Sequence, residues 1–350
     1  MKQFYKNKKI LITGCTGFTG GWLILYLKFY GAKIYGYSLD PPFNNSLFET
    51  YKLNKKIIYK KGNVKNFKDL KKFYKKANPD FVFHLAASPL VKECYNSPFQ
   101  AFNTNANGTL NLMEVIRTSQ FKKKISLNII TTDKVYENTE SKKKFNEKDK
   151  LGGDDPYSSS KVCAEIICKT YYSSYFQNKN ISMNILRSGN IIGGGDWSEN
   201  RLLPDIMNSY FKNKKLILRN PSHVRPWQHI FDVINSYVRI SLNGYLKRKT
   251  EFNAWNIGPT ELKSFSVNKI LELINKLLPK KIKSKVIKSL NIEKKILNLN
   301  SKKLFNKLGI KNKLNIFESI NLTVKWYSNH FKKKDYNFSK KQLIDYLNDE

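Results

Sequence analysis

The chain has 350 residues, a formal net charge of +36, and 41% hydrophobic and 13% aromatic residues. That length and apolar content suit one large α/β domain or two closely joined ones, and exclude disorder. The charge invites a nucleic-acid reading, but lysine runs such as Lys122-Lys123-Lys124 and Lys142-Lys143-Lys144 sit between apolar segments everywhere and no nucleic-acid module signature occurs; the excess reads as solvated surface, with no nucleic-acid partner expected.

Lys9–Thr13 is a short buried-strand candidate that runs into Gly14-Cys15-Thr16-Gly17-Phe18-Thr19-Gly20. An apolar helical stretch, Trp22–Leu27, follows and stops at Gly31; a second strand, Lys33–Tyr37, ends at Asp40. Strand, glycine loop, helix, strand and an acid about 20 residues on make a dinucleotide-binding unit. The glycines let the backbone approach a pyrophosphate, and the helix N-terminus offers it unpaired N–H groups and a positive dipole. Asp40 can accept from ribose hydroxyls and repels a 2′-phosphate, so NAD is the expected cofactor. Cys15 has no partner base and reads as a small filler.

The alternation continues with a strand at Lys55–Tyr59, a strand and turn at Pro79–Ala87, a helix over 103–117, a strand over 125–131, a helix over 157–176 and a strand at Ile181–Arg187. Repeated βα units predict a doubly wound parallel sheet with ligands at the C-terminal ends of its strands. Residues 1–190 are expected to form this nucleotide-binding domain, with 228–258 returning to it, and 191–350 to form mainly a smaller substrate-binding domain.

Residues 129–161 carry the candidate chemistry. Ile129-Ile130-Thr131 breaks into Thr132-Asp133-Lys134, and Tyr157 and Lys161 follow four apart, on one face of the next helix. A nearby ammonium lowers a phenol pKa by roughly 1–3 units, which brings Tyr157 toward use as a base. The same spacing occurs at six other tyrosines, so only its surroundings single this one out.

Those surroundings resemble the extended short-chain dehydrogenase/reductase family. Gly14-x-x-Gly17-x-x-Gly20, His84-Leu85-Ala86-Ala87, Asn105-x-x-Gly108-Thr109 and Tyr157-x-x-x-Lys161 stand in that family's order, and the likeness runs to Leu308-Gly309. Leu39-Asp40-Pro41-Pro42, Thr132–Asn138, Leu151–Tyr157, Gly189–Trp197, Leu218–Pro221 and Arg225–His229 further resemble its CDP-glucose 4,6-dehydratases. The resemblance implies cofactor contacts from Gly14, Thr16, Gly17, Phe18, Thr19, Gly20, Asp40, Asn63, Leu85, Ala86, Ala87, Asn105, Tyr157 and Lys161.

The implied reaction oxidises C4 of a nucleotide sugar, eliminates water across C5 and C6, and returns the hydride to C6. Tyr157, held as phenolate by Lys161, would take the C4 hydroxyl proton, Asp133 would protonate the leaving hydroxyl, Lys134 would act as the C5 base, and Thr132 would align the C4 oxygen. For the diphosphate, Arg225 is the first choice and Arg219 the second, because the guanidinium fork suits phosphate; Arg201, Asn190 and His229 complete the substrate-binding set, with a structural role for His229 also open. His84 reads as a structural brace. Asn63 stands where the family commonly has Asp, and Ser88 where close relatives often have Gln.

The resemblance also implies a homo-oligomer, dimer or tetramer, packed through the helices over 103–117 and 157–176. The four cysteines, Cys15, Cys94, Cys163 and Cys168, have no metal-ligand spacing and no disulfide pattern. With no signal-peptide pattern and no run of membrane-spanning length, a cytoplasmic location, no metal and no membrane partner are expected. Competing readings are a 4,6-dehydratase or 4-epimerase on a dTDP-, GDP- or UDP-sugar, and a non-enzymatic cofactor- or nucleic-acid-binding protein on the same fold.

Overall fold

The computed structural model describes all residues except 120–122, 141–142, 261–263, 288–293, 334, 336 and 349–350. Lys122 and Lys142 of the lysine runs therefore lie outside the described residues. The chain divides into two compact units: Met1–Glu137, Glu147–Ser188 and Ile234–Asn256 form one, and Asn138–Asn146, Gly189–Val233 and Ile257–Glu350 the other.

The first unit is built on seven strands: β1 (Lys9–Thr13), β2 (Lys33–Ser38), β3 (Ile58–Lys61), β4 (Phe81–His84), β5 (Ile125–Thr132), β6 (Ile181–Ser188) and β7 (Phe252–Ile257). Their order is β7-β6-β5-β4-β1-β2-β3, with β1 to β6 parallel. The order reverses between β1 and β4, which opens a crevice at the C-terminal strand ends, where such sheets bind ligands. The third strand begins at Ile58, later than the sequence pattern suggests, because Leu53–Lys55 closes a 3₁₀ turn first. The 103–117 helix likewise opens as a wide turn, Asn103–Asn107, before becoming regular.

One sheet face is apolar. Leu11, Val82, Leu127, Ile129, Met183 and Ile185 pack against helices α2 (Phe67–Ala77), α3 (Gly108–Thr118) and α4 (Pro156–Tyr171). The opposite face meets α1 (Phe18–Phe29) and α5 (Ile230–Leu246) through apolar contacts such as Phe81 against Tyr245 and, along β5 and β6, through buried polar groups. Ser126 Oγ donates to Ser241 O at 2.8 Å, Asn128 Nδ2 to Ser241 Oγ at 2.7 Å and Ser182 Oγ to Gly244 O at 2.6 Å. Asn184 Nδ2 reaches Asn128 Oδ1 at 3.0 Å, and Tyr26 OH reaches Asn235 Oδ1 at 3.0 Å.

In the second unit, the short strands Ile191–Ile192, Leu216–Leu218 and Val224–Arg225 pair with Gln228–His229, Ser284–Val286 and Phe265–Ser266 respectively. The helix Ile316–Lys332 supplies Trp326 and Tyr327, whose rings pack on Trp197. Gly194 lies so close to the Trp326 indole that a Cβ there would come within 1.9 Å of it. Among the described residues, no helix is long and apolar enough to cross a membrane, and no group of three or more His, Cys, Asp or Glu is placed to hold a metal.

Candidate active site

The loop between β1 and α1 uses its glycines in two ways. Gly14 has φ +69°, and a Cβ on it would lie 2.6 Å from Ala86 N; a Cβ on Gly20 would lie 2.5 Å from Gly14 O. Both are required by the protein's own packing. Gly17, the N-cap of α1, is different: its Cβ would meet nothing nearer than Gly14 O at 3.6 Å, and no side chain caps the helix. Open space before an uncapped helix N-terminus fits a diphosphate, so these residues fit a dinucleotide. Phe18 and Thr19 form the first turn of α1 and are half-buried.

Thr16 is buried, and its hydroxyl bonds Ser38 Oγ at 2.7 Å and Leu39 O at 3.1 Å, so its side chain ties the loop to the end of β2. Asp40 is exposed and ion-paired with Lys61. Asn63 turns its side-chain oxygen onto Lys65 N at 3.0 Å. Burial pushes the Cys15 thiol up, which keeps it an inert filler against Gly36.

Across the switch point, His84 is buried between two threonines. Its Nδ1 lies 2.7 Å from Thr13 Oγ1 and its Nε2 3.2 Å from Thr109 Oγ1. Thr109 donates its proton to Asn105 O at 2.7 Å, so it can only accept from Nε2–H; Nδ1 then accepts from Thr13, which itself accepts from Ala86 N at 3.4 Å. Burial, helped by the Lys161 charge, lowers the His84 pKa to about 3. The histidine is a neutral brace holding Leu85-Ala86-Ala87 beside the glycine loop. Asn105 extends the brace: it bonds both backbone groups of Ser88 at 2.8 and 3.2 Å and Ser160 Oγ at 2.9 Å.

β5 runs one residue beyond its expected end, to Thr132, and the chain then makes a single 3₁₀ turn, Asp133–Val135. Thr132 caps that turn, accepting from Lys134 N at 3.3 Å and donating to Asp133 Oδ1 at 3.1 Å. Asp133 is 2% exposed, whereas Lys134 is half-buried. On the following helix, Asp155 caps the N-terminus by accepting from Tyr157 N at 2.9 Å and Ser158 N at 3.0 Å. Tyr157 therefore stands in the first turn of α4, half-buried, with Lys161 one turn behind it. Lys161 Nζ donates to Ile130 O at 3.1 Å, which pins the helix to the strand two residues before Thr132. Burial lowers the Lys161 pKa to about 8.

The sequence pattern does not single out Glu165 and Arg187. The structure joins them as a buried ion pair directly behind this stretch, with Arg187 Nη2 to Glu165 Oε2 at 2.5 Å. The signal available was Glu165 itself, a carboxylate one further turn along the Tyr157–Lys161 helix face.

The substrate candidates belong to the second unit. Arg225 is buried and donates to Val224 O at 2.9 Å, Lys295 O at 3.1 Å and His223 Nδ1 at 3.2 Å. Arg219 bonds Asn200 Oδ1, and Arg201 lies 3.7 Å from Asp196. Burial pushes nearby Asp205 up to about 6 against the pull of Arg219. Asn190 O accepts from Gln228 N at 3.0 Å. His229 is 2% exposed with Nδ1 taken by Phe231 N at 3.3 Å, and burial lowers its pKa to about 3; within this unit it braces a turn.

Residues 11–323 match the model of the GDP-mannose 4,6 dehydratase family. The chain belongs to that family. A CDP-glucose 4,6-dehydratase of Salmonella typhimurium is 34% identical over 99% of this chain and 98% of its own length. A dTDP-glucose 4,6-dehydratase of Haemophilus influenzae is 25% identical over 91% of this chain and 97% of its own. Among solved structures, a dTDP-glucose 4,6-dehydratase from Bacillus anthracis in complex with NAD superposes with a TM-score of 0.76 at 24% identity, covering 93% of this chain and 97% of that one. That superposition shows a shared fold over nearly the whole of both chains.

Proposed function

We infer that the protein is an NAD-dependent CDP-glucose 4,6-dehydratase, converting CDP-glucose to CDP-4-dehydro-6-deoxyglucose with loss of one water. The observation that carries this reading is the strand end Thr132-Asp133-Lys134 joined to the Tyr157 helix through Lys161 and Ile130 O. Alcohol oxidation alone needs a base and its ammonium neighbour; the added carboxylate and amine supply the acid and base that elimination requires. The 34% identical relative over nearly the full chain supports CDP-glucose as the substrate. Bound NAD would supply reversible two-electron oxidation of the sugar.

Tyr157 takes the proton of the C4 hydroxyl. Lys161, with its pKa near 8, is still mostly charged at neutral pH and stabilises the phenolate. Thr132 holds the C4 oxygen in line. Lys134 removes the C5 proton made acidic by the new ketone, and Asp133 protonates the departing C6 hydroxyl. Each acid–base group contributes on the order of 10²–10⁴-fold in rate. The glycine loop, Asp40, Asn63, Leu85–Ala87 and Asn105 would hold the cofactor, and Arg225, with Arg219 and the neutral partner Asn190, would bind the nucleotide diphosphate; Arg201 completes the substrate-binding set, and His229 stays a buried brace. The cysteines are all free, three of them buried, in keeping with a cytoplasmic enzyme. Leu110 on α3 and Ile166 on α4 are exposed apolar residues, which supports a homo-oligomer packed through those helices.

The test is to incubate the protein and NAD separately with CDP-, dTDP-, UDP- and GDP-glucose and read products by mass. Loss of one water from CDP-glucose alone is expected; inertness toward all four overturns the reading. Tyr157→Phe should abolish the first oxidation. Lys134→Ala should leave bound cofactor reducible but block elimination, and normal elimination would remove Lys134 as the base.

A further inference from the structure

Behind the catalytic stretch lies a buried polar network that the chemistry above does not use. Arg187, near the end of β6, and Glu165, on α4, are each 4% exposed. Arg187 Nε lies 3.0 and 3.1 Å from the two Glu165 oxygens and Nη2 lies 2.5 Å from Oε2. Glu165 Oε1 also accepts from Thr131 Oγ1 at 2.7 Å, the residue before Thr132. Arg187 Nη1 donates to Tyr136 OH at 2.9 Å, and Tyr136 passes its proton to Asn256 Oδ1 at 2.5 Å. Nη1 also reaches Glu147 O at 3.3 Å, and the Glu147 carboxylate accepts from Asn256 N at 2.8 Å.

A buried ion pair is a poor device for stability, since apolar residues of the same volume serve as well or better. What this one supplies is geometry. Thr131 and Tyr136 flank Thr132-Asp133-Lys134 on either side, and both are bonded to the pair. Glu165 stands one turn beyond Lys161 and two beyond Tyr157 on the same helix face. The pair thus grips both halves of the site at once, across a strand register that sets Thr131 opposite Arg187.

We propose that Glu165 and Arg187 are positioning residues that hold Thr132-Asp133-Lys134 and Tyr157-Lys161 in register from behind the site. The inference rests on the dehydratase reading for its rate measurement. The Glu165 carboxylate also contributes to the field at Lys161, together with Cys94 from the helix Val91–Asn96, His84 from β4 and Cys168 from α4. Replacing Glu165 by a neutral group, with Arg187 retained, makes those surroundings more positive. The Lys161 ammonium and the Tyr157 phenol then both lose their protons at lower pH.

Two variants of the full-length protein separate charge from placement. Thr131→Val removes one tie and no charge: kcat for CDP-glucose dehydration should fall roughly 10-fold, with KM and the pH profile unchanged, and Thr131→Ser should restore it. Glu165→Gln should lower kcat by on the order of 10²-fold and move the alkaline limb of the profile to lower pH. An ultraviolet difference titration against Tyr157→Phe reads Tyr157 ionisation without any substrate, and its midpoint should shift the same way in Glu165→Gln. Wild-type kcat in folded Thr131→Val, or an unshifted titration in folded Glu165→Gln, overturns the proposal. Thr131→Val decides if Glu165→Gln does not fold. A wild-type enzyme inert toward nucleotide sugars overturns the substrate reading instead, and the titration still decides this one.

Discussion

Along β5 and β6 the two faces of the central sheet are both buried and held by different forces. β5 and β6 read Ile-Ser-Leu-Asn-Ile and Ile-Ser-Met-Asn-Ile, so that Ser126 lies opposite Ser182 and Asn128 opposite Asn184. The isoleucines, Leu127 and Met183 enter the apolar cluster under α2, α3 and α4, where close packing does the work. The serines and asparagines face α5, where Ser241 and the backbone of the returning helix satisfy them. Packing tolerates any residue of suitable shape, whereas the polar face accepts only a helix with matching donors and acceptors at the right places. Along these strands the apolar face supplies close-packed hydrophobic contact, and the polar face specifies which segment of the chain covers the sheet.

This contrast can be broken by substitution. Leu127→Ala, fully buried, should cost about 2–5 kcal/mol through transfer and cavity terms, read by denaturant unfolding. Asn128→Ala should cost about 1–3 kcal/mol, because it strands Asn184 Nδ2 and takes one of its donors from the Ser241 hydroxyl. Removing Ser126 and Ser241 hydroxyls together should cost less than the sum of the single changes, since neither is then left without its partner. Equal costs for Leu127→Ala and the double serine variant would remove the distinction between the faces.

Acid sharpens the comparison at the sheet's end. The His84 pKa is depressed from 6.5 to about 3 in the folded chain, so the unfolded chain binds the proton more readily. Its contribution is fully present above pH 6.5 and is lost progressively as pH falls toward 3. At about pH 5.5 the loss should be about 1.4 kcal/mol, and a folded His84→Gln variant should lose that much less than wild type over the same range. Tyr26→Phe, which forfeits the hydroxyl contact with Asn235, should be smallest at about 1 kcal/mol.

The glycine loop, the Asp40 position and the Tyr157–Lys161 spacing are legible in the sequence because each is set by a few neighbouring residues. The polar sheet face is not, because alternating Ser and Asn in a strand look like a solvent-facing side until α5 is seen to cover them. Glu165 and Arg187 are 22 residues apart and meet only when β5, α4 and β6 are assembled. Arg225 and His229 stand out in the sequence by residue type; that their groups are buried and engaged within the second unit depends on folds of the chain that no local pattern encodes.

The His84 chain has a further consequence. It begins at a backbone N–H, Ala86, and ends at a backbone carbonyl, Asn105, and neither group can reverse. Every proton between them has one permitted side, so the string of hydrogen bonds has a fixed polarity, like a one-way valve with both ends sealed. It can hold the loop still, but it cannot carry a proton through. In the proposed reaction, the proton that Tyr157 would take from a sugar hydroxyl has no exit through His84.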